Sequence, residues 1–358
     1  MSELRYDLTL DPGLEDIVAA EAQERFAAAG IGVETTLRPL DLPGHVELSV
    51  SGDPPQVEPL LRQLRGAYYA VRLAGSAELA PGEEPLGPVL RKLREIELPE
   101  LEEAGSFRVR SRRVGEHSFS SPEVERESGT VLHQRFGTAV KLEEPECTVR
   151  VDVTGAVARI GVLATPEALS RRYPWVWRPR VTLRTTIAYG MLRLGAFDKL
   201  PSGGRLYDPF CGSGTIPIEA ASLRDDLEIL GSDYDEQSVE GARANAAACG
   251  LADRVALFGA NALERSKTVE PGSVSAIVTN PPFGVRMAKE TNMRAFYHAF
   301  LREAATLLKP EGRLVILVGK RRKNFNEAVD GPASFAVRHV RVIEFGGIYP
   351  GIFVLERL

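Results

Sequence analysis

The chain has 358 residues, 44% of them hydrophobic and 26% charged, with a formal net charge of −5. That length holds two or three domains of ~100–200 residues, and the balance excludes a mostly disordered or fibrous chain. No apolar run approaches the ~20 residues of a membrane span, and the opening MSELRYDLTLDPGLED lacks the basic-then-apolar layout of a signal peptide. The expectation is a soluble, cytoplasmic protein with no membrane contact. Cys147, Cys211 and Cys249 lie far apart with no CxxC, and there are only 5 histidines. This spacing disfavours a disulfide framework and a Cys/His metal site, so no metal is expected.

In chain order, residues 4–10 (LRYDLTL) read as a strand and Gly13 to Ala29 as a helix stopped by Gly30. Strands follow at VETTLRPL and HVELSV, making residues 1–60 a small α+β unit. Gly52-Asp53-Pro54-Pro55 reads as a turn, Pro59 to Arg65 as helix and AYYAVRLAG as strand. After the loop at 81–88 comes a helix, VLRKLREIEL. The next block reads strand (FRVRSRRVG, 107–115), helix (Pro122 to Phe136), strand (CTVRVDVTG) and strand (AVARIGVLA), which suits a half-buried mixed sheet.

Charge is uneven along this half. Residues 1–100 carry 9 basic against 18 acidic residues, whereas residues 101–190 carry 14 against 11. Alternation in FRVRSRR puts Arg108, Arg110 and Arg112 on one face, with Arg113 beside them. The segment 169–184 adds Arg171, Arg172, Arg178 and Arg180, with Glu167 the single acid from Thr165 to Arg184. Such a patch attracts a polyanion; a solvated Arg-rich connector is the bland alternative.

From Thr182 onward the rhythm changes. A helix (LRTTIAYGMLRLGAF) precedes strands RLYDPF, LEILGSD, RVALFGA, SAIVTN and RLVILVG, alternating with helices TIPIEAASL, DEQSVEGARANAAACG and AFYHAFLREAATLLKPEG. This predicts an α/β, mostly parallel doubly wound sheet, closed by an antiparallel hairpin from VRHVRVIEFGG and GIFVLER.

Four strand ends carry candidate chemistry, because open α/β sheets bind ligands at the carboxyl ends of their strands. Asp208-Pro-Phe-Cys-Gly-Ser-Gly-Thr215 is neither GxGxxG nor GxxxxGK[ST], and Asp208 would face a cationic part of a ligand rather than a phosphate. Asp233 ends the second strand, where a carboxylate can accept both ribose hydroxyls or merely cap the next helix. Asn261 and Ala262 follow the third strand, and Asn261 could bond an adenine edge. Asn280-Pro-Pro-Phe283 follows the fourth. Its two prolines fix the backbone and remove two donors, leaving carbonyls outward. A planar exocyclic amine fits there: its N–H groups donate to the Asn280 side chain and the Pro281 carbonyl, and its ring stacks on Phe283.

DPFCGSGT, then GSD, then NPPF resembles the S-adenosylmethionine-dependent N-methyltransferases that act on exocyclic amines of nucleobases. The block from FRVRSRRVG to ARIGVLA resembles a THUMP domain, an RNA-binding module. The whole arrangement is similar to the tRNA guanine-6 N2-methyltransferases. That resemblance implies a ferredoxin-like unit at 1–60, a THUMP domain at 61–168, a basic linker at 169–184 and a Rossmann-like catalytic domain at 185–358. It implies S-adenosylmethionine as cofactor, bound by Thr186, Asp208, Phe210, Gly212, Gly214, Asp233, Asn261 and Ala262. Asn280, Pro281, Pro282 and Phe283 would form the catalytic tetrapeptide, and the eight arginines above would hold tRNA. Members often carry Asp where this chain has Asn261, and Tyr where it has Phe283. The expected protein is a monomeric tRNA-modifying enzyme. Guanine N2 methylation at another tRNA or ribosomal site, adenine N6 methylation and non-catalytic RNA binding stay open. Cytosine C5 methylation needs a thiolate near the fourth strand, and no cysteine follows Cys249.

Overall fold

A computed structural model describes residues 3–79, 84–165, 167–264, 268–282, 293–319, 322–329, 334–344 and 346–358. They divide into two compact units. The first takes residues up to Leu10 together with Val18–Leu169, and the second takes Asp11–Ile17 with Ser170–Leu358.

In the first unit, β1 (Glu3–Leu10), β2 (Val33–Leu37), β3 (His45–Ser51), β4 (Ala67–Glu78), β5 (Ser106–Arg110), β7 (Ala139–Val140), β8 (Cys147–Thr154) and β9 (Val157–Leu163) form one sheet. Its order is β2-β3-β1-β4-β9-β8-β5-β7, and β6 (Arg113–Val114) pairs with β8. The sheet therefore runs unbroken across residue 60. Strand alternation explains the burial: Cys147, Val149, Val151 and Val153 point into the core, while Thr148, Arg150 and Asp152 point away. Helices α1 (Glu15–Ala28), α2 (Pro54–Leu61), α3 (Gly87–Glu95), α4 (Pro99–Glu103) and α5 (Ser121–Phe136) complete this half of the chain. The Ser120 hydroxyl accepts from the Glu123 amide while the Glu123 carboxylate accepts from the Ser120 amide, and Gly137 closes α5 at φ 72°. One expectation shifts: α2 begins at Pro54, where a turn was read. Proline costs nothing in a first helical turn, whose N–H groups have no helical acceptor.

The second unit is an α/β fold built on one sheet. Its sheet holds β10 (Arg205–Asp208), β11 (Glu228–Asp233), β12 (Val255–Gly259), β13 (Val274–Thr279), β14 (Leu308–Val318), β15 (Phe335–Val342) and β16 (Gly351–Arg357). The order is β12-β11-β10-β13-β14-β16-β15. The first five strands are parallel, and β16 is antiparallel to both β14 and β15. The α/β expectation of a mostly parallel sheet closed by an antiparallel hairpin holds. Helices α6 (Thr185–Leu194), α7 (Thr215–Leu223), α8 (Glu236–Ala248), α9 (Met293–Leu307) and α10 (Arg322–Val329) belong to it. Two details differ. LKPEG, expected to finish α9, instead starts β14, whose register against β13 shifts between Val274 and Ala276. Helix α10 was not anticipated; buried Phe325 anchors it edge-on to Tyr297 and Phe353.

Residues 11–17 are built into this unit. The Glu344 amide donates to the Pro12 carbonyl, Arg341 reaches the Gly13 carbonyl and Asp16, and a Cβ at Gly13 would fall 2.3 Å from the Val342 carbonyl oxygen. Gly13 holds φ +99°, so both conformation and space call for glycine.

Candidate active site

The strand order reverses between β10 and β13, which opens a crevice beyond their carboxyl ends. A cavity of about 770 Å³ lies there, lined by Asp208, Phe210, Gly212, Asp233, Asn261, Ala262, Asn280, Pro281 and Pro282. Strands far apart in sequence thus bring most of the expected site residues together. Phe283 lies outside the described residues.

Asp208 is buried at the tip of β10. Its Oδ1 accepts from the Thr279 hydroxyl at 2.6 Å and from the Phe210 amide at 3.1 Å. Burial outweighs those two bonds and pushes its pKa up to about 7. Asp233 Oδ2 accepts from the Gly212 amide at 3.0 Å and Oδ1 from the Asp235 amide at 3.1 Å, so the acid holds the glycine loop in place. Each oxygen keeps a second acceptor position for a ligand hydroxyl. Burial also raises the Asp233 pKa.

The two glycines of the loop differ. Gly212, at φ +51°, has no heavy atom within 4 Å of a built Cβ and faces the cavity. Gly214, at φ +82°, caps α7 and does not line the cavity; a Cβ there would stand 3.2 Å from Ala242. Asn261 Oδ1 accepts from the Leu263 amide at 3.0 Å, which shapes the turn after β12.

Asn280 carries the clearest chemical demand. Its Oδ1 is inaccessible to water and has no hydrogen-bond partner among the described residues. A buried acceptor left empty is costly, and Asn280 also lines the cavity, so a donor that reached this oxygen would be favoured. Cys211, next to Asp208, is no nucleophile. Burial, reinforced by the charges of Asp208 and Asp233, drives its thiol well above the ordinary range and keeps it protonated.

Thr186 does not line the cavity. It is buried, and its hydroxyl donates to Asp11 Oδ2 at 2.6 Å, while Arg184 reaches Asp11 Oδ1 at 2.8 Å. The arginines also divide. Arg112, Arg171, Arg178 and Arg180 are exposed. Arg108 bonds Thr148 and the Leu142 carbonyl, Arg110 lies 3.6 Å from Glu125, and Arg113 bonds the Gly115 carbonyl. Arg172 donates to Glu219, whose carboxylate is buried and also accepts from the Tyr173 hydroxyl.

Sequence reasoning missed three groups. Thr279 is an ordinary strand residue until the sheet sets it beside Asp208. Pro179, Val181, Thr182 and Leu183, read only as linker, line the cavity. Asn245 looked like one polar residue in an alanine-rich helix. Among the described residues no His/Cys/Asp/Glu cluster could hold a metal ion, and no helix is long and apolar enough to cross a membrane.

Comparison with known proteins agrees with this geometry. A family model described as an RMKL-like methyltransferase domain matches residues 176–350, and a THUMP domain model matches residues 89–163. A tRNA (guanine(6)-N2)-methyltransferase of Thermus thermophilus is 39% identical over 354 residues, covering 98% of this chain and 99% of that protein. One from Archaeoglobus fulgidus is 28% identical, covering 98% and 92%. The crystal structure of TrmN from Thermus thermophilus superposes with a TM-score of 0.80 at 38% identity, covering 99% of this chain and all of that one. With strand order, cavity and near-full-length identity in agreement, the chain belongs to the tRNA (guanine(6)-N2)-methyltransferase family.

Proposed function

We infer that this protein transfers a methyl group from S-adenosylmethionine to the exocyclic N2 amine of guanine 6 in tRNA. The observation that carries the reading is the buried, unpartnered Asn280 Oδ1 beside a cavity that Asp208 and Asp233 also line. Family membership supplies the substrate class.

The residues present fit the cofactor. A cavity of about 770 Å³ is of ligand size. Asp233 offers acceptors for ribose hydroxyls, Gly212 leaves its side of the cavity open, and Asp208 offers a carboxylate to a cationic group. When bound, S-adenosylmethionine supplies a methyl on a positively charged sulfur, already activated for transfer.

The remaining work is positioning. Guanine N2 lies in the minor groove of a stem, so the base leaves the stack at a cost of a few kcal/mol. Asn280 Oδ1 accepts one N–H of the amine, and the Pro281 carbonyl accepts the other; the prolines bring no competing donor. Phe283 is proposed to stack on the ring. Two acceptors holding both N–H groups turn the nitrogen lone pair toward the methyl, and orientation supplies much of the acceleration. The amine proton leaves after transfer, when the nitrogen is far more acidic, so no strong base is required.

The THUMP-containing half would capture tRNA through phosphates, with Arg108, Arg110, Arg112 and Arg113 joined by Arg171, Arg178 and Arg180. The test is to incubate unmodified tRNA with the protein and labelled S-adenosylmethionine and digest to nucleosides. N2-methylguanosine supports the reading. N6-methyladenosine, or no labelled nucleoside, contradicts it.

A further inference from the structure

We propose that Asn245 is a positioning residue that fastens residues 172–183 onto the catalytic unit as a fixed wall of the methyl-donor cavity. The proposal rests on the reading of that cavity as the S-adenosylmethionine site.

Asn245 lies in α8, fully buried, and uses its whole hydrogen-bonding capacity on two other segments. Its Oδ1 accepts from the amides of Val176 at 3.1 Å and Trp177 at 2.9 Å. Its Nδ2 donates to the Trp177 carbonyl at 2.8 Å and to the Ser213 carbonyl at 3.0 Å. Ser213 stands in the glycine loop between Gly212 and Gly214. One amide group therefore joins the strap before α6 to the loop after β10. A primary amide has two donors and two acceptor positions, and no other uncharged side chain of this size matches that set. Because the group is buried, losing any one partner strands a polar atom.

Two further contacts seat the same strap. The Trp177 ring lies on Gly241, one helical turn before Asn245, so closely that a Cβ there would fall 2.1 Å from the ring. Upstream, Arg172 and the Tyr173 hydroxyl bond the buried Glu219, and Tyr173 also bonds Ser222 at 2.6 Å. Directly after Trp177, the strap supplies Pro179, Val181, Thr182 and Leu183 to the cavity. With the strap released, those residues leave and one side of the donor site opens to water.

The chain has 2 tryptophans, Trp175 and Trp177, so a Trp175→Phe parent reports on the strap alone. In that parent, Asn245→Asp sets a carboxylate oxygen against the Trp177 and Ser213 carbonyls. Gly241→Ala instead lifts the Trp177 ring while improving the helix propensity of α8. Far-UV circular dichroism establishes that each variant is folded, and calorimetry with S-adenosylhomocysteine gives its affinity. Both variants are expected to red-shift Trp177 emission and to bind at least tenfold more weakly than the parent. Saturating S-adenosylhomocysteine should return the emission toward the parent value, because binding and strap closure are linked. A shifted emission with affinity within twofold of the parent overturns the proposal, as does an unshifted emission in both variants. A parent that fails to bind S-adenosylhomocysteine overturns the reading of the cavity itself.

Discussion

Thr279 and Asp208, the last residues of two neighbouring parallel strands, are joined by a 2.6 Å hydrogen bond from the threonine hydroxyl to Oδ1. Asn280 follows Thr279 directly, so the buried acid proposed for the donor site and the residue proposed to hold the amine share one fastening. Thr279→Val keeps the volume and removes the bond. It should cost about 0.5–1.5 kcal/mol of stability, the net worth of one hydrogen bond since the Phe210 amide still bonds the same oxygen, and raise the Asp208 pKa further. Turnover should fall while Thr279→Ser restores most of it. Equal turnover for the valine and serine variants would separate Asn280 placement from this bond.

Asp208 also sets a pH dependence. An unfolded aspartate titrates near pH ~4, while the buried one titrates at about 7, so between those values the folded state holds a proton that the unfolded chain has lost. Folding stability therefore falls as pH rises through that window, with a slope of at most ~1.4 kcal/mol per pH unit from this group. Binding runs the other way. A cationic ligand favours the carboxylate, so affinity for S-adenosylmethionine should rise as pH climbs toward 7 and level off above it, with proton release on binding in that window. Calorimetry in buffers of different ionisation enthalpy measures that release; none near pH 6.5, or the same release from Asp208→Asn, contradicts it.

Asp233→Ala should weaken cofactor binding by about 1.5–3 kcal/mol, as for hydrogen bonds to a charged group, and also loosen the Gly212 loop that it holds. Asp233→Asn should lose less, since its amide oxygen still accepts. Unchanged calorimetric affinity in the alanine variant removes Asp233 from the site.

The arginines should separate into two kinds. Replacing the exposed Arg112, Arg171, Arg178 and Arg180 with Gln should flatten the log–log salt dependence of tRNA binding by roughly 0.7–0.9 per lost phosphate contact, with little change in Tm. Arg172→Gln should lower Tm, because it leaves the buried Glu219 with less compensation; breaking such a pair costs up to about 3–5 kcal/mol. An undisturbed salt slope in the fourfold variant would falsify the phosphate role, and an unchanged Tm in Arg172→Gln the structural one.

The sheet of the catalytic unit was legible because apolar strands and helices alternate there, and the site because glycine, proline and acid cluster at three strand ends. Local pattern reached no further. Thr186 was placed at the cofactor, but its hydroxyl goes to Asp11, 175 residues away in sequence, a pairing only the fold creates. Gly214 is equivalent to Gly212 in the sequence pattern, but α8 crowds it. Helix α10 is only 8 residues long, with Phe325, Ala328 and Val329 as its apolar positions, too short a run to stand out in the sequence. The strap at 172–183 reads as part of an Arg-rich linker, whereas Arg172, Tyr173, Trp177 and the backbone amides hold it in place. Asn245 carries no sequence signal, since its four bonds go to two segments far from it in sequence.

Asn280→Ala, assayed in single turnover on unmodified tRNA with nucleoside mass spectrometry, tests the amine-holding role most directly. The variant should form N2-methylguanosine roughly 10²–10³-fold more slowly than the wild type, the scale for removing one preorganised polar group, with S-adenosylhomocysteine affinity little changed. Formation of N2-methylguanosine at the wild-type rate would show that Asn280 does not hold the amine, and that its buried oxygen has no part in the chemistry.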